Sequence, residues 1–268
     1  MPELPDVEIY RRYVNEHALG ETVRQVRVQD ARILDGLSPD AFRQRLEGRR
    51  LKATRRHGKQ LLVELDRGGW LTLHFGMTGD LVAFEDEGED PAYDRVRFDF
   101  KSGRHLAYVN RRMLGRVGCA EDADAFIEEH ELGPDALGLD LRAFKAALGG
   151  RRRDIKSALM DQSTIAGIGN IYADEILYQA RLHPKTALAD LGDAELKRVH
   201  REMGRVLSMS IERGAGSERF TERLPDGWLL PHREKGAKCR RCDGSIETLK
   251  AGGRTTYFCP RCQPEPAA

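Results

Sequence analysis

The sequence lacks the features that would place a protein in a membrane or send it out of the cell. Its 268 residues contain no run of about 18 apolar residues, the length that a membrane-spanning helix needs. Glu3, Asp6 and Glu8 put charges where a secretory signal peptide would need an apolar stretch. We therefore expect a cytoplasmic protein that has no membrane partner.

Cysteine is scarce until the end of the chain. Cys119 stands alone, and the other four cysteines form the pairs Cys239-Arg-Arg-Cys242 and Cys259-Pro-Arg-Cys262. This spacing is typical of tetrahedral zinc on a β-hairpin and unlike a secreted disulfide framework. A redox dithiol is the alternative, but it would usually begin a helix of a thioredoxin-like unit, which the sequence does not predict. We predict one structural zinc ion held by the four paired cysteines.

The chain also has almost no net charge, with 44 basic and 43 acidic residues giving a formal value of +1. The basic residues are unevenly distributed, however, and crowd residues 45–59, 151–156 and 235–261. A protein of this kind can present a positive face to a polyanion although it is neutral overall.

Apolar residues recur with two different periods along the chain. Residues 3–19 have helical spacing and end near Gly20. A period of two then predicts a mainly antiparallel β region with a short helix near 39–47 and strands at 22–28, 60–65, 70–75, 95–100 and 105–109. From about residue 124 the helical period returns and predicts helices at 124–130, 140–148, 154–163, 171–181 and 193–213.

The last of these helices is the clearest, because Asp193 can cap it and one apolar stripe follows. The stripe consists of Leu196, Val199, Met203, Val206 and Ile211. Gly133-Pro134 marks the predicted boundary between two lobes. Residues 214–236 have no firm period, and we predict a mobile loop that leads to the cysteine pairs.

A glycine-rich junction separates two of the predicted helices. In DQSTIAGIGNIYADEIL (161–177), Gly167 and Gly169 precede Asn170 at the amino end of the second helix. Glycines let the backbone approach an anion closely, and the free amides of a helix start favour negative charge. The junction is therefore suited to holding a phosphate, although a simple turn explains the same glycines.

Five segments together closely resemble the formamidopyrimidine-DNA glycosylase/endonuclease VIII family of bacterial base-excision repair enzymes, from the first residue almost to the last. They are MPELPD (1–6), HGKQLL (57–62), HFGMTG (74–79), IKSALMDQSTIAGIGNIYADEILYQARLHP (155–184) and GRTTYFCPRCQ (253–263). The resemblance implies an α+β fold in three parts, which agrees with the periods described above. We expect a catalytic β-sandwich domain with flanking helices over 1–133, a DNA-binding helix-two-turns-helix domain over 134–235 with a lesion-proximal loop near 214–235, and a four-cysteine zinc-finger β-hairpin over 236–264.

The resemblance assigns the chemistry to the first residues of the mature chain. Once Met1 is removed, Pro2 would attack C1′ of the damaged nucleotide, displace the base and form an iminium that permits β,δ-elimination. An α-amino group titrates near pH 8, so an unprotonated fraction exists in the cell. Glu3 would move protons between the opening sugar and the amine. Taken alone, Pro2 also fits a helix start and Glu3 a carboxylate at the positive end of a helix dipole.

The same matching assigns the DNA contacts. Lys59 would reach the phosphate or base of the lesion from a β-turn; Lys156, Asn170 and Arg254 would contact the flanking phosphates, and His74 and Tyr172 are weaker candidates for the same role. Met77 and Arg112 would fill the space that the everted base leaves, which partly offsets the few kcal/mol lost in stacking and pairing. The alternatives are a solvated turn residue for Lys59 and a core position for Met77.

Three departures from the family pattern bear on the choice of lesion. Asp6 replaces the usual glutamate, Leu114 replaces the aromatic wedge that stacks on the base opposite the lesion, and residues 217–236 are shorter than the loop that closes over 8-oxoguanine. These departures leave 8-oxoguanine, formamidopyrimidines, oxidised pyrimidines, abasic sites and bulkier lesions as alternative substrates.

The resemblance implies a bifunctional DNA glycosylase and apurinic/apyrimidinic lyase with damaged duplex DNA as its partner. We expect a monomer that is associated with the bacterial nucleoid. A catalytically silent DNA-damage-binding protein of the same fold is the alternative function, whereas a generic zinc-ribbon nucleic-acid module would explain only the tail.

Overall fold

The computed structural model describes residues 1–85 and 90–265, and the chain divides into two compact units. Met1–Pro2 and Asp6–His130 form the first unit, and Glu3–Pro5 together with the chain from Glu131 onward form the second. Within the described ranges, no helix has the length and apolar character needed to cross a membrane.

The first unit is built on two four-stranded antiparallel sheets. In chain order its helices and strands are α1 (Leu4–His17, which begins in the second unit's segment), β1 (Val23–Val28), α2 (Pro39–Leu46), β2 (Leu51–His57), β3 (Gln60–Leu65), β4 (Trp70–His74), β5 (Gly79–Phe84), β6 (Asp94–Phe100), β7 (His105–Asn110), β8 (Arg116–Ala120) and α3 (Ala123–Glu129). One sheet has the order β1-β6-β7-β5 and the other β2-β3-β4-β8. The predicted sandwich with flanking helices is confirmed, and β2, β5 and β8 are strands that the sequence patterns did not predict.

The two sheets share one buried core, as the strand periods predict. Leu61 and Val63 of β3 point into it because they alternate along the strand, and Val7 and Val14 of α1 cover it at helical spacing. Leu62, on the opposite face of β3, packs instead against Phe126 of α3. Both faces of this sheet are therefore covered.

The second unit is helical and ends in a two-stranded hairpin. Its elements are α4 (Leu141–Leu148), α5 (Ile155–Met160), α6 (Asn170–Ala180), α7 (Asp193–Glu212), β9 (Glu247–Ala251) and β10 (Arg254–Phe258), with short 3₁₀ turns at Leu188–Asp190, Thr221–Arg223 and Leu230–His232. The helix predicted at 154–163 ends at Met160, because the Asp161 carboxylate accepts the Ser163 N–H (3.0 Å) and turns the chain. The residue that caps α7 is Gly192 and not Asp193, and the Glu195 carboxylate accepts the Gly192 N–H at 2.8 Å.

The prediction of a mobile loop at 214–236 is wrong for much of that segment. Leu224, Trp228 and Leu230 are buried in the same apolar core as α6 and α7. Leu230 N–H also donates to the buried Glu175 carboxylate at 2.7 Å. The segment lacks a period because its buried side chains are spaced irregularly over turns, not because it is free of the core.

Candidate functional site

The third residue of the chain carries a buried carboxylate. Glu3 is fully buried, and its two oxygens accept three backbone N–H groups at the start of α6. Gly169 N–H donates at 2.6 Å and Tyr172 N–H at 3.2 Å to Oε2, and Ile171 N–H donates at 2.9 Å to Oε1. The first amides of a helix have no partner within the helix, so Glu3 both satisfies them and complements the helix dipole.

Two glycines of the junction, Gly167 and Gly169, leave room for the amino-terminal residues. A Cβ on Gly169 would lie 2.5 Å from the Glu3 carboxyl carbon, and one on Gly167 would lie 2.5 Å from Leu4 Cδ1. Gly167 also has a φ of +116°, and its carbonyl accepts the Leu4 N–H at 3.0 Å. The anion at this helix start is the protein's own carboxylate, so the predicted phosphate site on the junction amides is wrong.

Pro2 is half-buried and precedes Glu3 by one peptide bond. While Met1 is attached, the Pro2 nitrogen is an amide without a usable lone pair, and removal of Met1 converts it into a secondary amine. The carboxylate next to this nitrogen in the chain is the one that α6 fixes through three hydrogen bonds. Of the two neighbours predicted as nucleophile and proton carrier, Glu3 is therefore held in a fixed position.

Lys156 is buried in a polar network at the start of α5. Its Nζ lies 2.7 Å from Asn170 Oδ1, 2.5 Å from Thr256 Oγ1 and 2.7 Å from Asp174 Oδ1. Burial lowers the pKa of Lys156, and the Asp174 carboxylate opposes that effect. Asp174 is itself fully buried, and its Oδ2 accepts the Arg233 guanidinium at 2.8 Å. Lys156 therefore forms a buried ion pair with Asp174 inside the second unit.

The phosphate contacts predicted for Lys156 and Tyr172 disagree with this arrangement. Both side chains are fully buried, and the Tyr172 hydroxyl donates to the Ala215 carbonyl at 3.3 Å. Sequence matching could not show this, because the buried partners of Lys156 lie on α6 and in the hairpin. Asp174 was missed, although its place one helical turn after Asn170 puts both on the same face of α6.

Asn170 and Arg254 remain accessible candidates beside this network. Asn170 is half-buried, and its Nδ2 donates to the Thr255 carbonyl of β10 at 3.2 Å. Arg254 is exposed at the hairpin tip, directly after two glycines of positive φ, Gly252 and Gly253. The start of α6 and the hairpin tip are therefore held together within the second unit.

The four paired cysteines converge as predicted. Their sulfur atoms all lie within 4.8 Å of one another, and Cys239–Cys262 and Cys242–Cys259 are 3.8 and 3.5 Å apart. Tetrahedral zinc with Zn–S bonds of about 2.3 Å separates its sulfurs by about 3.8 Å, so the donor set and its spacing fit this ion. Tyr178 Oη lies 3.2 Å from Cys239 Sγ and supports that ligand from α6.

Lys59 and His74 lie near each other in the first unit. Lys59 follows Gly58, which has a φ of +54°, in the two-residue turn between β2 and β3. His74 ends β4 opposite Gln60. Burial, then the positive charges of Lys59 and Arg116, lower the pKa of His74 to about 4. A DNA phosphate would therefore meet a neutral imidazole here at pH 7.

Two neighbouring turns carry Met77 and Arg112. Thr78 Oγ1 accepts the Arg112 N–H at 3.0 Å, and a Cβ on Gly76 would lie 2.3 Å from the Leu114 carbonyl carbon. The close approach of these turns therefore requires a glycine. Met77 is 40% and Leu114 48% exposed, so the core position considered for Met77 is excluded. Thr78, which joins the turns, was not predicted.

Comparison with protein-family models assigns all three parts of the chain. Residues 1–117 match the formamidopyrimidine-DNA glycosylase N-terminal domain, and residues 132–222 match the H2TH domain of the same glycosylase. Residues 236–264 match the zinc finger found in FPG and IleRS. Together with the sulfur geometry, this last match shows that the four cysteines bind one structural zinc ion.

Similar proteins share nearly the whole length of the chain. The formamidopyrimidine-DNA glycosylase of Heliobacterium modesticaldum is 37% identical over 281 residues, which cover 98% of this chain and 100% of that protein. The enzyme of the same name from Streptococcus pyogenes serotype M3 is 36% identical over 275 residues, covering 98% of each chain.

Two solved structures have the same fold. One is a complex of wild-type Lactococcus lactis Fpg (MutM) with DNA containing N7-benzyl-Fapy-dG, with a TM-score of 0.89 at 26% identity, and covers 98% of this chain and 100% of that one. The other is a complex of Lactococcus lactis Fpg with abasic-site DNA, with a TM-score of 0.87 at 25% identity and the same coverage. With matches that begin at residue 1 and end at residue 264, the chain belongs to the formamidopyrimidine-DNA glycosylase family.

Proposed function

We propose that this protein is a bifunctional DNA glycosylase and apurinic/apyrimidinic lyase of base-excision repair. It acts as a monomer on damaged duplex DNA in the bacterial nucleoid, with a catalytic domain at 1–133, a helix-two-turns-helix domain at 134–235 and a zinc finger at 236–264. The supporting relatives are named as glycosylases, and the solved structures of the fold hold damaged DNA.

The observation that carries the proposal is the fixed carboxylate directly after Pro2. In the mature chain the lone pair of Pro2 attacks C1′, and the bond from C1′ to the base breaks. The departing base takes up a proton, and the Pro2 nitrogen, which is positively charged after the attack, loses one. Its lone pair then opens the C1′–O4′ bond to give the iminium, and O4′ takes up a proton. Glu3 supplies and recovers protons in these steps, since its place is set by three amide donors.

Strand cleavage follows from the iminium. Loss of a proton from C2′ breaks the C3′–O bond in β-elimination, and the downstream strand leaves with a 5′ phosphate. Loss of a proton from C4′ then breaks the C5′–O bond in δ-elimination, and the upstream strand leaves with a 3′ phosphate. Water finally hydrolyses the iminium and returns the free amine. A secondary amine suits this route because it forms an iminium without losing a second proton.

The remaining residues hold the DNA. Lys59, Asn170 and Arg254 contact phosphates around the lesion, and neutral His74 contributes an N–H donor. Met77 and Arg112, joined by Thr78, fill the space left by the everted base. Cys239, Cys242, Cys259 and Cys262 hold zinc, which supplies structure to the hairpin because all four of its positions are taken by sulfur.

Borohydride reduction on abasic-site DNA tests the proposal. Protein from which Met1 has been removed should give a covalent protein–DNA adduct on a denaturing gel, since borohydride reduces the iminium to a stable amine. Pro2→Gly should lose most of this adduct while still binding the DNA. Binding without any adduct from the wild-type protein would instead show a catalytically silent DNA-damage-binding protein.

A further inference from the structure

Tyr93 is an aromatic side chain that the first unit leaves at its surface. Tyr93 is 50% exposed and lies directly before β6. Two guanidinium groups flank it: the Arg95 carbon lies 5.7 Å and the Arg111 carbon 5.8 Å from the ring centre. Both are within the range of a cation–π contact. An exposed ring between two positive charges is suited to a partner that has aromatic bases as well as phosphates.

The backbone holds Tyr93 in a costly conformation. Its φ is +65°, in the left-handed region that residues other than glycine, asparagine and aspartate rarely adopt. Such strain persists where the surrounding structure imposes it, and it is concentrated at sites that bind or react. A glycine would relieve the strain, but it would remove the ring.

Hydrogen bonds attach Tyr93 to the strand that leads into the Arg112 turn. The Tyr93 carbonyl accepts the Asn110 N–H at 3.1 Å, and Arg95 Nε donates to the Asn110 carbonyl at 3.0 Å. Arg111 and Arg112 follow at once. The ring and its two arginines are thus tied to the base of the turn that carries Arg112 and Leu114.

This turn has lost the aromatic residue of the family pattern, because Leu114 occupies its position. When the damaged nucleotide leaves the duplex, the base opposite loses both its pairing partner and its stacking. An aromatic side chain can restore the stacking for any base, because every base has a π face. Leucine cannot offer that surface, whereas Tyr93 can.

Resting on the proposed function, we infer that Tyr93 is a duplex-specific binding residue that stacks on the unpaired base of the undamaged strand. Arg95 and Arg111 hold the ring in place and pair with the phosphates of that strand. The contact exists only when a complementary strand is present. Tyr93 therefore sets the preference for duplex over single-stranded substrate and contributes to selection of the opposite base.

Binding to two matched DNA probes tests the inference. One probe is a duplex with a tetrahydrofuran abasic analogue, and the other is its lesion strand alone. Tyr93→Leu should reduce the ratio of duplex to single-strand affinity by about tenfold, the effect expected from loss of one stacked base. Tyr93→Phe keeps the ring and should keep the ratio. An unchanged ratio in Tyr93→Leu would overturn the inference.

Two further measurements separate a binding role from a folding role. Tyr93→Gly adopts φ of +65° without strain, so its melting temperature should not fall, while its duplex preference falls as in Tyr93→Leu. With 2-aminopurine opposite the lesion, the wild-type protein should quench the fluorescence by stacking, and Tyr93→Leu should leave it bright. Equal quenching by both proteins would contradict the assignment. Failure of the proposed function would appear separately, as the absence of a borohydride adduct with wild-type protein.

Discussion

At the scale of single residues, the proposed chemistry depends on how Glu3 is held. The sequence places a carboxylate beside Pro2, and matching to the family gives it a role in proton transfer. The sequence alone could not show that three amides at the start of α6 bind that carboxylate, because these amides are more than 160 positions away along the chain. Of the two glycines that look like a phosphate site, Gly169 leaves room for the Glu3 carboxylate and Gly167 for the Leu4 side chain.

Gly169→Ala should therefore damage catalysis through Glu3. The new methyl group would lie 2.5 Å from the Glu3 carboxyl carbon and must displace it. We expect single-turnover cleavage of abasic-site DNA to slow by roughly tenfold to a hundredfold, as for other misplacements of about 1 Å in an active site.

Gly192→Ala is the matched control, since Gly192 precedes α7 as Gly169 precedes α6. A Cβ on Gly192 meets only Glu195, at 3.7 Å. This variant should cleave at the wild-type rate. Equal rates for Gly169→Ala and the wild-type protein would show that the position of Glu3 does not limit the reaction.

His74 should remain neutral throughout the pH range in which the enzyme works. Its pKa in the folded protein is about 4, below the ordinary 6.5, first because of burial and then because of Lys59 and Arg116. Since the unfolded chain takes up a proton more readily, this residue costs stability as pH falls from about 6.5 towards 4. Proton NMR of the His74 ring should show no titration between pH 5.5 and 8.

Lys59→Gln tests whether the charge of Lys59 helps to lower the pKa of His74. Removing this positive charge should raise the midpoint of the His74 titration, while burial keeps it below 6.5. A midpoint near 6.5 in the wild-type protein, or no shift in the variant, would contradict the structural explanation.

At the scale of elements, prediction from sequence succeeded where one face of an element is buried. The apolar stripe of α7 and the alternation of β3 are visible in the sequence because burial follows the helix or strand period. It failed for β2, whose LKATRRH sequence is mostly half-buried and has no alternation, and for 214–236, where the anchors are irregularly spaced. It also failed for Lys156, since only the fold reveals its partner Asp174.

Asp174→Asn should strongly destabilise the second unit. The substitution leaves the fully buried Lys156 without its counter-charge, and breaking a buried pair in this way typically costs about 3–5 kcal/mol. Urea unfolding followed by circular dichroism would measure the loss. The double variant Lys156→Met/Asp174→Leu should recover the part that comes from Lys156, because apolar side chains can replace a buried ion pair. It should not recover the part that comes from Arg233, which loses the same carboxylate.

Asp193→Asn is the control for Asp174→Asn. Asp193 pairs with two lysines, Lys145 and Lys197, but its side chain is 61% exposed, so its loss should leave the unfolding midpoint unchanged. If Asp174→Asn also unfolded at the wild-type midpoint, the ion pair of Lys156 with Asp174 would contribute little to stability.

At the scale of the whole molecule, a net charge of +1 conceals basic stretches suited to DNA. Phosphate contacts release counterions, so affinity should fall steeply with salt, by roughly 10³-fold between about 50 and 200 mM if about six phosphates are engaged. Arg254→Ala should make the slope of log affinity against log salt shallower by about one contact. Arg32→Ala, which removes an exposed arginine already paired with Asp30, should leave the slope unchanged. A shallow slope in the wild-type protein would mean that few phosphates are bound.

The most direct test of the central chemistry is the site of attachment in the borohydride-reduced adduct. After digestion of protein and DNA, peptide mass spectrometry should find the sugar remnant on the nitrogen of Pro2, in a peptide that begins at Pro2. A remnant on Lys59 or any other lysine, or an active cross-linked protein that still carries Met1, would contradict the account.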